Sequence, residues 1–394
     1  MKFLIVDTDY REFLGWLYSE QPGLDKARYA EQLEERMKSL FGIADFYSSN
    51  LRKLGHDAWD VHANNEFMQK AWAGENGVKL DAPFHGRPWG RASQILRNAI
   101  AAVPLRDFGR LAGPVLHLMD GNGQRAWFYD ILAAQIERYK PDVLFNHDLR
   151  LDEKFLRDMR AHIRLLVGQH AASPLPPSKD WSCYDLIVSS FVPTVEFFRQ
   201  QGIASELSRL GFEPSVLSCL GSQERSLDIT FVGSFYRVHK GRTKFLEALC
   251  RQFSQLKIWG PEPNSLPYDS PIRRCYMGQA WGRKMYGLLH QSKIVLNHHG
   301  EIPPYANNLR LFEATGMGAL LVTDWKENLK EMFEPGKEIV AYRTPEECIE
   351  LVNYYLEHEE ARASIARAGQ QRTLSEHTYY HRMEKFVDLV REYL

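Results

Sequence analysis

Short apolar runs alternate with amphipathic helical stretches through the first half of the chain, the pattern of a parallel sheet covered by helices. Residues 2–6 and 57–62 read as the first two strands. Between them, residues 26–54 place Leu33, Met37, Leu40, Phe41, Ala44, Tyr47, Leu51 and Leu54 at three- and four-residue steps, which predicts one long helix stopped by Gly55. The same rhythm continues with a helix at 124–139, a strand at 143–145, a helix at 153–162, and strands at 163–167 and 186–189. Residues 81–93, rich in Pro, Gly, Arg and aromatics, interrupt it and read as a surface loop, either a solvated connection or a substrate contact.

A polar run at Ser222–Ser226 marks a boundary, and a second α/β unit starts at the strand 227–232. Its expected order is a helix at 242–252, a strand at 256–259, a helix at 282–290 and a strand at 294–296. A helix from about 308 and a strand at 319–323 follow, then helices at 345–358 and 359–368. The last helix, 379–394, presents Tyr379, Met383, Phe386, Val387 and Val390 on one face. The expected fold is therefore α/β, with two Rossmann-like doubly wound domains facing across a cleft. Its divisions are 1–222, 223–375 and a terminal helix, 376–394.

Length supports two domains, since 394 residues exceed what one compact domain usually holds. With 44% hydrophobic and 25% charged residues the chain can bury a full core. Lys plus Arg is 49 against 50 for Asp plus Glu, so the net charge of -1 supplies no global field for nucleic acid or anionic lipid. An anionic ligand needs a local site. Five cysteines, odd in number and without a C-x-x-C pair, fit a reducing cytosol better than a disulfide framework. The opening apolar run ends at Asp7, too short for a secretion signal, and no apolar stretch reaches the roughly 18 residues of a membrane span. A cytoplasmic location is the expectation.

Two strand-to-helix junctions of the second unit have the composition to hold a phosphorylated ligand. In the first, Gly233 and Ser234 follow a strand, and Arg237, Lys240 and Arg242 add charge where a helix N-terminus presents free amides. In the second, Asn307, Asn308, Arg310 and Glu313 gather near a helix start. A guanidinium makes paired bonds to diphosphate oxygens, and a carboxylate can accept two bonds from a ribose diol. A surface Arg–Glu pair would show the same spacing.

Glu313-Ala314, with Gly318 and the apolar run Leu320-Leu321-Val322, resembles the ribose-binding segment of GT-B glycosyltransferases of the family 4 type. The string from Asn307 to Gly316, with His377-Thr378-Tyr379 and Arg382-Met383, looks like the group of the spore maturation protein CgeB. Leu210–Glu213 falls where such enzymes close their first domain, and the resemblance puts the acceptor on the 1–222 side, the nucleotide sugar on 223–375, and the helix 376–394 back against the first domain. The resemblance implies a nucleotide-sugar-dependent hexosyltransferase with a UDP-, GDP- or dTDP-sugar as co-substrate and no permanent cofactor or metal, and it leans toward retention. Arg310, Lys240 and His170 would act at the reacting centre. Gly233, Ser234, Arg237, Trp259, Gly260, Asn307, Asn308 and Glu313 would hold the nucleotide. Two departures stand out: Tyr305 occupies the position of the motif's first glutamate, and Ser234 that of its arginine. The missing carboxylate is absent or comes from elsewhere, Glu301 being the candidate.

Asp7, Asp9, His62 and Asn64 are the candidates on the acceptor side, Asp7-Thr8-Asp9 alternatively forming a helix-capping loop. Asp7, Asp9, His62 and Asp148 are also the candidate bases that an inverting enzyme would need. His298-His299 reads as a strand-end pair and not as a zinc site. Trp259 suits either a nucleobase pocket or plain core. The acceptor, whether small molecule, glycan or protein, cannot be read from the residues. The alternatives in function are a nucleotide-sugar epimerase and a non-catalytic two-lobed nucleotide- or sugar-binding protein.

Overall fold

The computed structural model of the chain describes residues 1–80, 123–170, 180–234, 240–260, 266–299 and 305–394. The 81–93 loop, Arg237 and Glu301 lie outside the described residues. The chain builds two all-parallel sheets. The first contains β1 (Lys2–Asp7), β2 (Asp57–His62), β3 (Val143–Asn146), β4 (Leu165–Gln169), β5 (Leu186–Ser189) and β6 (Ser205–Leu207), in the order β2-β1-β3-β4-β5-β6. The second contains β7 (Leu227–Val232), β8 (Leu256–Trp259), β9 (Ser292–Asn297), β10 (Leu320–Asp324) and β11 (Val340–Tyr342), in the order β11-β10-β9-β7-β8. Strands such as β3, β5 and β10 are buried at every position because helices cover both faces, which is why they read as unbroken apolar runs.

Strand order reverses between β1 and β3 in the first sheet and between β7 and β9 in the second. Such switch points open a crevice at the carboxyl ends of the strands, where α/β proteins place their ligands. Asp7 and His147 stand at the first switch point, Gly233 and His298 at the second.

The long helix expected over 26–54 is two helices, Tyr29–Lys38 and Phe46–Lys53. Leu40, Gly42 and Ala44 between them adopt positive φ, which no helix tolerates, and the turn keeps Leu40 and Ala44 buried in the core. Apolar periodicity therefore continued across a break. The helix expected at 359–368 runs on to Glu376, and helices at Arg11–Glu20, Glu66–Glu75 and Val192–Gln200, with the short strands β6 and β11, join the predicted elements.

One buried cluster runs from the first sheet (Phe3, Phe145) to the second (Val295, Leu321) through Phe212, Tyr286, Phe312 and Tyr379. The closing helix, Tyr379–Tyr393, supplies much of the join. Phe386 stacks on Phe145 at 4.4 Å between centroids and also meets Phe3, while Tyr379 packs on Phe46 and Tyr47. Its start is stitched to the segment that follows β6: Phe212 donates its amide to the His377 carbonyl and accepts one from Tyr379, both at 2.9 Å. A second seam forms where Trp281 meets Phe13 and Phe41 edge-on and Arg283 donates its amide to the Ser39 carbonyl at 2.7 Å. Gly282, at φ +43°, permits that approach, since a Cβ there would lie 1.9 Å from the Ser39 oxygen.

Candidate functional site

Among the described residues, several of the buried polar atoms without a hydrogen-bond partner lie at the carboxyl ends of the two sheets. In the first half they include His147 Nε2, Gln169 Oε1, His170 Nε2 and Ser190 Oγ, at or just after the ends of β3, β4 and β5. In the second half they are His299 Nε2, Asn308 Oδ1 and Arg310 Nε. Each such atom costs about 1–3 kcal/mol when left unsatisfied, so their gathering along the carboxyl ends of the strands marks where a polar ligand would complete the bonding. The two edges also touch, through Phe191 after β5 and Tyr305, whose rings meet edge-on at 6.0 Å.

His147 lies under that edge in a cage of rings, edge-on to Phe145 at 4.4 Å and to Tyr47 at 5.1 Å. Its Nδ1 is 4.0 Å from an Asp7 carboxylate oxygen. Burial pushes its pKa down to about 4, against the attraction of Asp7, so the ring is neutral near pH 7. His170 follows β4, half-buried, with its pKa also lowered by burial. Asp7 stays partly open and accepts the Thr8 amide at 2.8 Å.

Asp9, His62 and Asn64 depart from the expected open acceptor loop. The Asp9 side chain is 2% exposed, with Arg36 Nη2 at 2.6 Å and His62 Nδ1 at 3.1 Å. Burial would raise its pKa, but His62 and Arg36 hold it well below the usual carboxylate range. Asn64 clamps the Asp9 backbone with two bonds, 2.8 and 2.7 Å. The capping alternative fails too, because the helix Arg11–Glu20 starts from Tyr10 with no side-chain cap. Asp9, Arg36, His62 and Asn64 instead form a buried brace beneath the loop that carries Asp7.

In the second half, Gly233 follows β7 and donates its amide to the Trp259 carbonyl at 2.9 Å. Ser234 comes next, its carbonyl 3.4 Å from Arg242 Nη1, while Arg242 Nε donates to the His298 carbonyl at 3.0 Å. Arg242 is thus fastened across the switch point and is not a mobile charge. Lys240 opens the helix Lys240–Gln252. Trp259 is buried within the core cluster, which favours the core reading of its indole, and Gly260 donates to the Gly278 carbonyl at 3.0 Å.

Asn307 and Asn308 lead into the helix Arg310–Gly316, with Asn308 Nδ2 donating to Asn297 Oδ1 at 2.9 Å. Arg310 and Glu313 form an ion pair at 2.7 Å, and it is buried, not the surface pair that spacing also allowed. Arg310 Nη2 also reaches the Val232 carbonyl at 3.2 Å, which leaves Nε as its unpartnered nitrogen. Burial raises the Glu313 pKa, opposed by Arg310 and by the Tyr286 hydroxyl at 3.4 Å.

Sequence reasoning missed His147, Gln169, Ser190 and Tyr286. Each follows a strand or sits inside a helix with no motif around it. A polar residue at the end of a predicted parallel strand was the available signal for the first three.

Residues 241–388 match the family model described as glycosyl transferase-like. No curated protein matches the chain. Among solved structures, it is similar to a glycosyltransferase from Rickettsia africae ESF-5 (11% identity, 100% of this chain and 98% of that one, TM-score 0.56). It is similar also to Anabaena HepE in complex with UDP-glucose (12% identity, 100% of both chains, TM-score 0.55) and to sucrose-phosphate synthase from Thermosynechococcus elongatus (11%, 100% and 98%, TM-score 0.52). The chain therefore has the GT-B fold, and its residues 241–388 are similar to the glycosyl transferase-like family.

Proposed function

We propose that the protein is a hexosyltransferase of the family 4 type, in the CgeB-like group, that moves a sugar from a nucleoside diphosphate donor to an acceptor hydroxyl. The observation that carries this is the gathering of unpartnered buried polar atoms at the facing strand ends of the two sheets. HepE, of the same fold, binds UDP-glucose, which supports a UDP-, GDP- or dTDP-sugar as donor here. The donor belongs with the second unit, residues 223–375, and the acceptor with residues 1–222. Five free thiols, at Cys183, Cys219, Cys250, Cys275 and Cys348, favour work in a reducing cytoplasm.

Bond cleavage puts negative charge on the leaving diphosphate while the sugar becomes cationic, so fixed positive groups at the phosphate lower the barrier. Arg310 Nε and Lys240 are assigned that work beside the Gly233-Ser234 turn, with Arg237 and Asn308 as further contacts. Glu313 is assigned the ribose diol, a role in which sugar hydroxyls share the carboxylate with Arg310. His170 is assigned to the donor sugar. This charge stabilisation needs no divalent ion, and the retaining course needs no protein base.

The test is release of nucleoside diphosphate from a panel of UDP-, GDP- and dTDP-hexoses, with cell extract as acceptor, with and without EDTA. Release from one donor class, insensitive to EDTA, is expected, and Glu313→Gln should lower kcat/KM by about tenfold or more. Tight donor binding without release under any condition would overturn the proposal in favour of a two-lobed binding protein. Conversion of the donor sugar to its epimer without release would overturn it in favour of an epimerase.

A further inference from the structure

A cavity of about 590 Å³ opens at the carboxyl ends of β9, β10 and β11, on the side covered by the helix Lys240–Gln252. Its volume falls within the range of small-molecule sites. Lys244, Lys326 and Arg343 line it against one carboxylate, Asp324. That carboxylate is already engaged, by Lys326 Nζ at 3.2 Å, the His299 amide at 2.8 Å and His299 Nδ1 at 2.7 Å. Burial opposes ionisation of Asp324, but the bonds from His299 hold its pKa at about 2. The charge left facing the cavity is positive.

His299 adds a directional element. A carboxylate only accepts, so Asp324 takes its bond from a proton on Nδ1 and fixes the ring with Nε2 as the outer nitrogen. Nε2 has no hydrogen-bond partner among the described residues, and the residue is 4% exposed. A hydroxyl, donor and acceptor both, is a group that satisfies it. Flat surfaces complete the lining: Phe245, His298 and Tyr342 lie nearly parallel, Phe245 4.7 Å from His298 and 5.0 Å from Tyr342, and Arg343 lies 4.4 Å over the Trp325 ring.

We propose that this cavity is a binding site for an anionic monosaccharide, its phosphate or carboxylate held by Lys244, Lys326 and Arg343 and one of its hydroxyls bonded to His299 Nε2. Asp324 is the positioning residue that fixes the ring. Arg242, bonded to both the Ser234 and His298 carbonyls, stands between this cavity and the Gly233 turn, so the two ligand positions are neighbours. The proposal concerns binding and holds whether or not the protein transfers sugar.

Calorimetric titration of the full chain with glucose 6-phosphate, glucuronate, glucose and inorganic phosphate tests it. One of the two anionic sugars, or both, should saturate a single site at least about tenfold more tightly than glucose or phosphate alone. The tighter of the two identifies phosphate or carboxylate as the preferred anion. Lys244 and Arg343 are exposed, so the double variant Lys244→Ala/Arg343→Ala should melt like wild type while losing about tenfold or more in affinity. His299→Phe should erase the preference for the sugar over inorganic phosphate. Absence of saturation by every probe, wild-type affinity in the double variant, or one-for-one displacement of the probe by UDP would overturn the proposal.

Discussion

Acidification acts on this fold through His147, and the size of the effect follows from its cage. The ring is fully enclosed by Phe145, Tyr47 and the strand ends, and its pKa falls from an ordinary 6.5 to about 4. Because the folded value lies below the unfolded one, the unfolded chain takes up the proton first as pH falls. The stability is thus present above pH 6.5 and lost on descending toward 4. Between pH 7 and pH 5 the loss from this one ring amounts to about 2 kcal/mol. His298 and His377, each lowered to about 4 by burial, act in the same direction. Asp60, raised to about 6 by burial, acts against them. Comparing wild type with His147→Gln cancels those shared contributions, as well as the pH-independent effect of the substitution. Urea unfolding of both proteins at pH 7 and pH 5 should show the variant losing about 2 kcal/mol less than wild type over that interval. Equal losses would refute the argument that the cage, and not its surroundings at large, sets the titration.

Removal of the Asp9 carboxylate leaves Arg36, 1% exposed, as an uncompensated buried cation over Phe13, so Asp9→Ala should lower stability by about 3–5 kcal/mol in urea unfolding. A loss below about 1 kcal/mol would mean that the brace is not electrostatic. Gly282→Ala forces a Cβ onto the Ser39 carbonyl at a left-handed position; overpacking and backbone strain together predict a loss of about 2–5 kcal/mol, with faster proteolysis at the seam. Wild-type unfolding and proteolysis would show that the seam opens freely in solution.

Alternation of apolar runs and amphipathic stretches was enough to locate most of the strands and to call for two doubly wound sheets, because buried parallel strands and one-sided helices leave different local periods. The same logic failed at residues 39–45. There the apolar spacing survived a turn made by positive φ at Leu40 and Ala44, residues whose side chains carry no sign of it. The Asn307–Glu313 cluster was legible because its members are adjacent in sequence, and the Arg310–Glu313 pair follows from three-residue spacing on one helix. Its burial was not legible, since Tyr286 and the Val232 carbonyl arrive from other elements.

The local order of the chain thus determined the elements, their faces and the adjacent polar residues of the second unit. Tertiary structure alone decided which strand ends became neighbours. Strand order reverses at β1/β3, which brings Asp7 to His147 across 140 residues, and the pairing of β9 with β10 brings Asp324 to His299 across 25. It also decided that Asp9 braces a loop while Asp7, two residues away, stays open. Burial and partner choice depend on which distant segments pack against a side chain, and hydrophobic periodicity records only the face that packs.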